Sequence, residues 1–208
     1  GILLGGIPGV KRGKVVILGG GVVGVNAAKI AEGIGAYTTI MDISQRRLAY
    51  LDDVFGSAVQ TLFSNDANIM SEIKDADVVV GSVYVSGAKA PKLIRKEHLK
   101  HMKKGAVLVD VAIDQGGCFE TSHATTHDKP IYDVDGIVHY CVANMPGVVP
   151  KTSTVALNNQ TLRYGLEIAS GVSVDKYSEP LKLGVNVMDG DLTCEGVAKS
   201  HGLPFRSI

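Results

Sequence analysis

Residues 14–24 read KVVILGGGVVG. The run KVVIL at residues 14–18 is apolar, β-branched and flanked by glycine, so it predicts a buried strand. Residues 22–34 follow a helical pattern that ends at Gly33 or Gly35, where glycine supplies a left-handed cap. Between them, Gly19, Gly21 and Gly24 satisfy G-x-G-x-x-G. That pattern alone is weak in a chain with 25 glycines among 208 residues, about 12% against a usual ~7%. The strand before it and the helix after it give each glycine a mechanical role. Gly19 makes the tight turn, Gly21 lets the backbone approach a diphosphate, and Gly24 lets the helix pack close to the strand. The helix start at Val22 and Val23 offers N–H groups to that diphosphate. The plain alternative is a tight strand-to-helix turn with no ligand.

Asp42 strengthens the dinucleotide reading. It ends a second run, YTTIM at residues 37–41, and lies 18 residues beyond Gly24, close to the ~20 expected. A carboxylate there accepts both ribose hydroxyls of an adenosine and repels a 2′-phosphate, so NAD is favoured over NADP. Arg46 and Arg47 are the counterweight, since a nearby arginine can receive that phosphate.

The alternation continues outward. Ser44 predicts the N-cap of a helix reaching about Phe55, with Leu48 and Leu51 on one face. Strands are expected at residues 58–62, 77–81 (DVVVG), 106–111 (AVLVDV) and 137–142 (IVHYCV). Helices are expected at residues 67–74 and 92–102. Runs apolar on both faces, separated by helices, indicate a parallel sheet covered on both sides. The expected fold is α/β, a doubly wound parallel Rossmann sheet of order 3-2-1-4-5-6. The pattern changes near Pro146 and Pro150. A long helix is expected from Thr152 or Ser153 to about Ser170, then irregular chain, then one short helix over residues 191–201. The expected division is a dinucleotide-binding domain at residues 1–150 and a helical piece of a second domain at residues 151–208. That last quarter is too small to bury a core of its own.

Composition excludes other classes. Lys+Arg and Asp+Glu each number 21, so the net charge is zero, which argues against a binder of nucleic acid or a membrane surface, since those need a basic footprint. No run approaches the roughly 20 apolar residues that span a bilayer. No secretory leader opens the chain, and Cys118, Cys141 and Cys194 are odd in number and widely spaced. Reduced thiols and a cytoplasmic compartment are expected.

In a doubly wound sheet the ligand lies over the C-terminal strand ends. Residues 82–89, 112–117 and 143–147 therefore fall near the cofactor, and Ser64 can reach its adenosine side. Asp110 and Asp114 end the fifth strand; Asp114 is either a carboxylate beside the substrate or a turn aspartate. Cys118, His123 and His127 have a C-x4-H-x3-H spacing, but no fourth ligand is near, so no metal is expected. Nothing marks Cys118 as a thiolate nucleophile. His139 sits in an apolar strand and reads as a satisfied core histidine. Lys89 reads as a solvated loop lysine or a ribose contact, and Asn144 as a turn residue or an amide contact.

With these residues in view, the chain resembles the L-alanine dehydrogenase family. The resemblance rests on residues 9–24, YLDDVFG at 50–56, SGAKAPKLI at 86–94, VDVAIDQGGCFETSH at 109–123, TTHDKPIY at 125–132, VHYCVANMPGVVPKTST at 138–154 and CEGVAKSHGLP at 194–204. The related NAD-binding subunit of proton-translocating transhydrogenase resembles it less. That family carries an insertion between strands three and four and lacks the DQGGCFE run. A non-catalytic NAD-binding fragment is a further alternative.

The resemblance implies NAD-dependent, reversible conversion of L-alanine to pyruvate and ammonium. It implies that Asp42 binds the adenosine ribose, that Arg47 and Ser64 lie by the adenosine, and that Val83, Val111, Asn144 and Met145 lie toward the nicotinamide. Asp114 becomes the catalytic aspartate beside the substrate, and the assembly a homohexamer. It also implies that the substrate-clamping Arg and Lys and the acid–base His belong to an N-terminal segment ahead of Gly1, so catalysis by this chain alone is expected to be poor. The opening GILLGGIPGVKRGK reads as the continuation of such a segment.

Overall fold

The computed structural model describes residues 1–85 and 89–207. Ser86, Gly87 and Ala88, within the SGAKAPKLI stretch, and Ile208 lie outside the described residues. The chain forms two compact units, Gly1–Tyr84 with Ala90–Ala143, and Val85–Lys89 with Asn144–Ile208.

The first unit is a Rossmann-type α/β layer. Strand β1 (Lys14–Leu18), helix α1 (Val22–Gly33), β2 (Tyr37–Asp42), α2 (Gln45–Phe55), β3 (Val59–Phe63), α3 (Asp66–Ile73), β4 (Val78–Gly81), β5 (Val107–Asp110), β6 (Ile131–Val134) and β7 (Ile137–Tyr140) follow in order. The sheet order is β3-β2-β1-β4-β5-β7-β6. Every neighbouring pair from β3 to β7 is parallel, and the six expected strands occupy the expected order.

Strand β1 is central because its residues feed both faces. Val15 and Ile17 join one apolar cluster with Val25, Ala28, Ile40 and Leu51 from the first two helices and β2. Val16 and Leu18 join the opposite cluster with Ile69, Ile73, Leu108 and Phe119. Alternate residues of a strand point to opposite faces, so a run apolar throughout needs cover on both. Each such buried aliphatic side chain contributes about 1.5–3 kcal/mol.

Two expectations for this unit need correction. Residues 92–102 do not form an α-helix; only a 3₁₀ turn at Lys96–His101 is present, in a segment tied to the following loop by Leu93 N–H to Cys118 O at 2.8 Å. The sheet is not wholly parallel, since β6 adds an antiparallel edge by a hairpin, with Ile131 opposite Tyr140 and Val134 opposite Ile137. The hairpin turns on Asp135 and Gly136, both at positive φ (52° and 78°), a tight-turn signal overlooked in the sequence.

In the second unit, helix α4 spans Pro150–Ala169 with Pro150 in its first turn and Val149 as cap, so neither Thr152 nor Ser153 starts it. Proline suits that position because its missing N–H would have no helical partner. Ser153 instead donates its hydroxyl to Pro146 O at 2.7 Å. Helix α5 (Glu179–Leu183) and a hairpin of β8 (Val187–Met188) and β9 (Asp191–Leu192) follow. Helix α6 (Glu195–His201) replaces the single helix expected over residues 191–201. Among the described residues of this unit only Thr193 and Ala198 are buried.

Candidate dinucleotide-binding site

The glycine loop joins β1 to α1, and each glycine has a distinct geometric reason. Gly19 has φ +106°, and a Cβ on it would meet Ser82 O at 2.8 Å. A Cβ on Gly24 would meet Gly19 O at 1.9 Å, so helix and loop pack closer than any side chain allows. Around Gly21 a Cβ would meet nothing within 4 Å. Gly21 is the N-cap of α1 and supplies no side-chain cap, and no acidic residue occupies the first turn. The helix therefore opens on bare backbone with its positive dipole end facing free space, the arrangement that receives an anion. Gly21, Val22 and Val23 are the residues that could hold a diphosphate at this turn.

Gly20, between the two glycines of the motif, is confined as well. A Cβ there would meet Leu51 Cδ1 at 2.8 Å and Asp42 Oδ2 at 3.0 Å. The reason is Asp42 itself. Its Oδ2 accepts the Gly20 N–H at 2.8 Å and its Oδ1 accepts the Ser44 N–H at 2.8 Å. The carboxylate is thus fixed at the tip of β2, beside the glycine loop, with lone pairs left for two further donors. Ser44 caps α2 through its hydroxyl, which accepts the Arg47 N–H at 3.3 Å.

Arg47 folds back over the same corner. Its Nε donates to Gly20 O at 2.5 Å and its guanidinium lies 4.8 Å from the Tyr50 ring centroid. Ser44, Arg46, Arg47 and Tyr50 line a hollow of about 390 Å³ here. Ser64, just past β3, gives its N–H to Asp42 O at 3.0 Å. Asp42, Arg47 and Ser64 thus share one corner.

The other half of the strand-end row starts at Ser82, whose role the sequence did not disclose. Its buried hydroxyl lies 3.0 Å from both Leu18 O and Gly19 O and holds β4 against the glycine loop. Val83 follows it, with its carbonyl 3.9 Å from Cys118 Sγ. Val111 N–H reaches Gly81 O at 2.9 Å, so Val111 also stands at the end of the central strands. Asp114 lies on a 3₁₀ turn at Ile113–Gln115 and is exposed. Asn144 and Met145 belong to the second unit. Asn144 takes a left-handed φ of 54° ahead of a 3₁₀ turn at Met145–Val148. Lys89 is exposed and also belongs to that unit.

The remaining constellations resolve into packing. Cys118 is fully buried, and burial pushes its thiol up to about 11, with Asp110 adding to the shift, so it stays protonated. His123 stacks on Tyr132 with centroids 3.7 Å apart. Among the described residues no group of three His, Cys, Asp or Glu gathers as a metal site would. His139 is a satisfied core histidine. Nδ1 lies 2.9 Å from Ile137 O and Nε2 lies 2.7 Å from the Thr121 hydroxyl, and burial lowers its pKa. A neutral ring protonated on Nδ1 satisfies both contacts.

A family model described as alanine dehydrogenase/PNT, C-terminal domain, matches residues 1–195. The alanine dehydrogenase of Methanococcus maripaludis is 55% identical over 208 residues, covering 99% of this chain and 56% of that protein. A solved L-alanine dehydrogenase superposes with a TM-score of 0.87 at 49% identity, covering 97% of this chain and 56% of that one. The transhydrogenase of Sinorhizobium meliloti is more distant, with a TM-score of 0.60 at 26% identity over 67% of this chain and 40% of its own. The chain thus spans just over half the length of the alanine dehydrogenases it matches.

Proposed function

Because the chain belongs to the alanine dehydrogenase/PNT C-terminal domain family, we propose that it carries the NAD-binding part of an enzyme that interconverts L-alanine, NAD and water with pyruvate, ammonium and NADH. In this reading residues 1–150 form the dinucleotide-binding domain and residues 151–208 belong to a second, substrate-side domain. The observation that carries it is the bare, glycine-lined N-terminus of α1 beside the fixed carboxylate of Asp42.

Nicotinamide, when bound, supplies the hydride acceptor. The residues of the chain bind and orient it. Gly21, Val22 and Val23 offer backbone N–H groups to the diphosphate, while Gly19, whose own N–H is donated to Met41 O at 2.8 Å, makes the turn and Gly24 lets the helix pack against it. Asp42 accepts the adenosine ribose hydroxyls, with Ser64 and Arg47 beside it. Val83, Val111, Asn144 and Met145 serve the nicotinamide half. Asp114 is exposed and accepts a proton or orders a water as the imine hydrates, the role its carboxylate suits. The assembly is a homohexamer working in the cytoplasm. No described helix is long and apolar enough to cross a membrane.

The test is an NADH fluorescence titration of the purified chain, with NADPH in parallel. Saturable, NADH-selective binding is expected. A chain that is folded by circular dichroism yet binds neither nucleotide would overturn the proposal.

A further inference from the structure

Asp110 ends β5 and is completely buried, yet the cofactor reading gives it no task. Its Oδ1 accepts the Cys118 N–H at 3.1 Å. Its Oδ2 accepts the Phe119 N–H at 3.2 Å and the Ser122 hydroxyl at 2.5 Å. The approach requires glycine, since a Cβ on Gly117 would meet Asp110 Oδ2 at 2.5 Å. A buried carboxylate is costly unless its oxygens are all occupied, and here the N–H groups of one turn occupy them.

The same turn is held from its other side. The ammonium of Lys92 donates to the carbonyls of Gly116, Gly117 and Phe119 at 2.5, 2.9 and 3.0 Å. Its own segment runs alongside, with Ala90 N–H on Gln115 O at 3.0 Å and Leu93 N–H on Cys118 O at 2.8 Å. An anion therefore takes the N–H groups of residues 118–119, and a cation takes the carbonyls of Gly116, Gly117 and Phe119. Between that grip and β5 lie only residues 111–115, which hold Val111 and Asp114. The turn closes on them, with Gly117 N–H on Ala112 O at 3.0 Å.

We propose that Asp110 and Lys92 are positioning residues. Together they clamp the turn at residues 116–119 and so fix residues 111–114, which carry Val111 on the nicotinamide half of the cofactor. This rests on the NAD-binding reading above. It predicts that the two halves of the dinucleotide respond differently. The adenosine half is held by the glycine loop and Asp42, which the clamp does not touch.

The experiment measures calorimetric affinity for NADH and for ADP-ribose, which lacks the nicotinamide. The unaltered chain is compared with Asp110→Asn, Lys92→Met and Lys92→Arg. Asp110→Asn should weaken NADH about tenfold and leave ADP-ribose within about twofold. Lys92→Met should weaken NADH about threefold, and Lys92→Arg, which keeps the cation, should restore most of it. Unchanged NADH affinity in the variants overturns the clamp. Parallel loss of both ligands does so too, because a general loss of structure would move them together. NADH binding no tighter than ADP-ribose on the unaltered chain is a third contrary result. Should Asp110→Asn fail to fold, the Lys92 pair decides, since that side chain lies at the surface. An unaltered chain that binds neither ligand overturns the NAD-binding reading itself.

Discussion

Asp42 holds two backbone N–H groups in this fold and still has lone pairs to offer. Replacing it by alanine removes the ribose acceptor and the charge that repels a 2′-phosphate, beside Arg46 and Arg47. Asp42→Ala should weaken NADH about tenfold and raise NADPH relative to it. Parallel titrations check this, and an unchanged ratio would take Asp42 off the ribose. His139 makes a second prediction at this scale. Burial lowers its pKa below the ordinary 6.5, so the folded chain binds that proton less readily than the unfolded one. Its contribution to stability is complete above the unfolded value and is lost as pH falls below it through the folded value. Thermal melts at pH 7.5 and 5.5 should show a drop on acidification that His139→Gln reduces.

Among the elements, α1 and α4 give opposite responses to one methyl group. Gly24→Ala places a Cβ 1.9 Å from Gly19 O, so it should cost about 3 kcal/mol or more and abolish NADH binding. Gly165 lies inside α4 with nothing within 4 Å of its Cβ position, so Gly165→Ala should stabilise by about 0.5–1 kcal/mol. Denaturant melts of the two variants separate these effects. The elements that sequence alone revealed are those whose cause is local. β1, α1 and α2 declare themselves through β-branched runs, glycine stops and the Ser44 cap, all of which the structure contains. Strand β6 was not legible, because IYDV is short, half-exposed and interrupted by an aspartate, and it is made a strand by its pairing with β7. Residues 92–102 have helical composition, but their backbone is spent on the loop after β5. The same limit applies at the site. G-x-G-x-x-G and its acid are patterns in sequence, whereas Ser82 and Asp110 act across separations of 64 and 8 residues that no motif encodes.

Over the whole molecule, buried residues concentrate in the first unit. In the second, the exposed aliphatics Val155, Leu157, Leu162, Leu166 and Ile168 of α4 leave only Thr193 and Ala198 buried among the described residues. Sparse burial means low local opening energies. Limited proteolysis should therefore cut within residues 144–207 before it cuts the sheet, and mass spectrometry should recover a resistant core ending near residue 143. Early cleavage inside β1–β5 would contradict this. The position of β1 has a consequence for how the chain is made. It pairs on one side with β2, the next strand to be synthesised, and on the other with β4, which emerges only after β3 and two helices have been made. During synthesis this apolar strand therefore waits with one hydrogen-bonding edge open. A pause before residue 81 would prolong that wait and offer the edge to a neighbouring nascent chain.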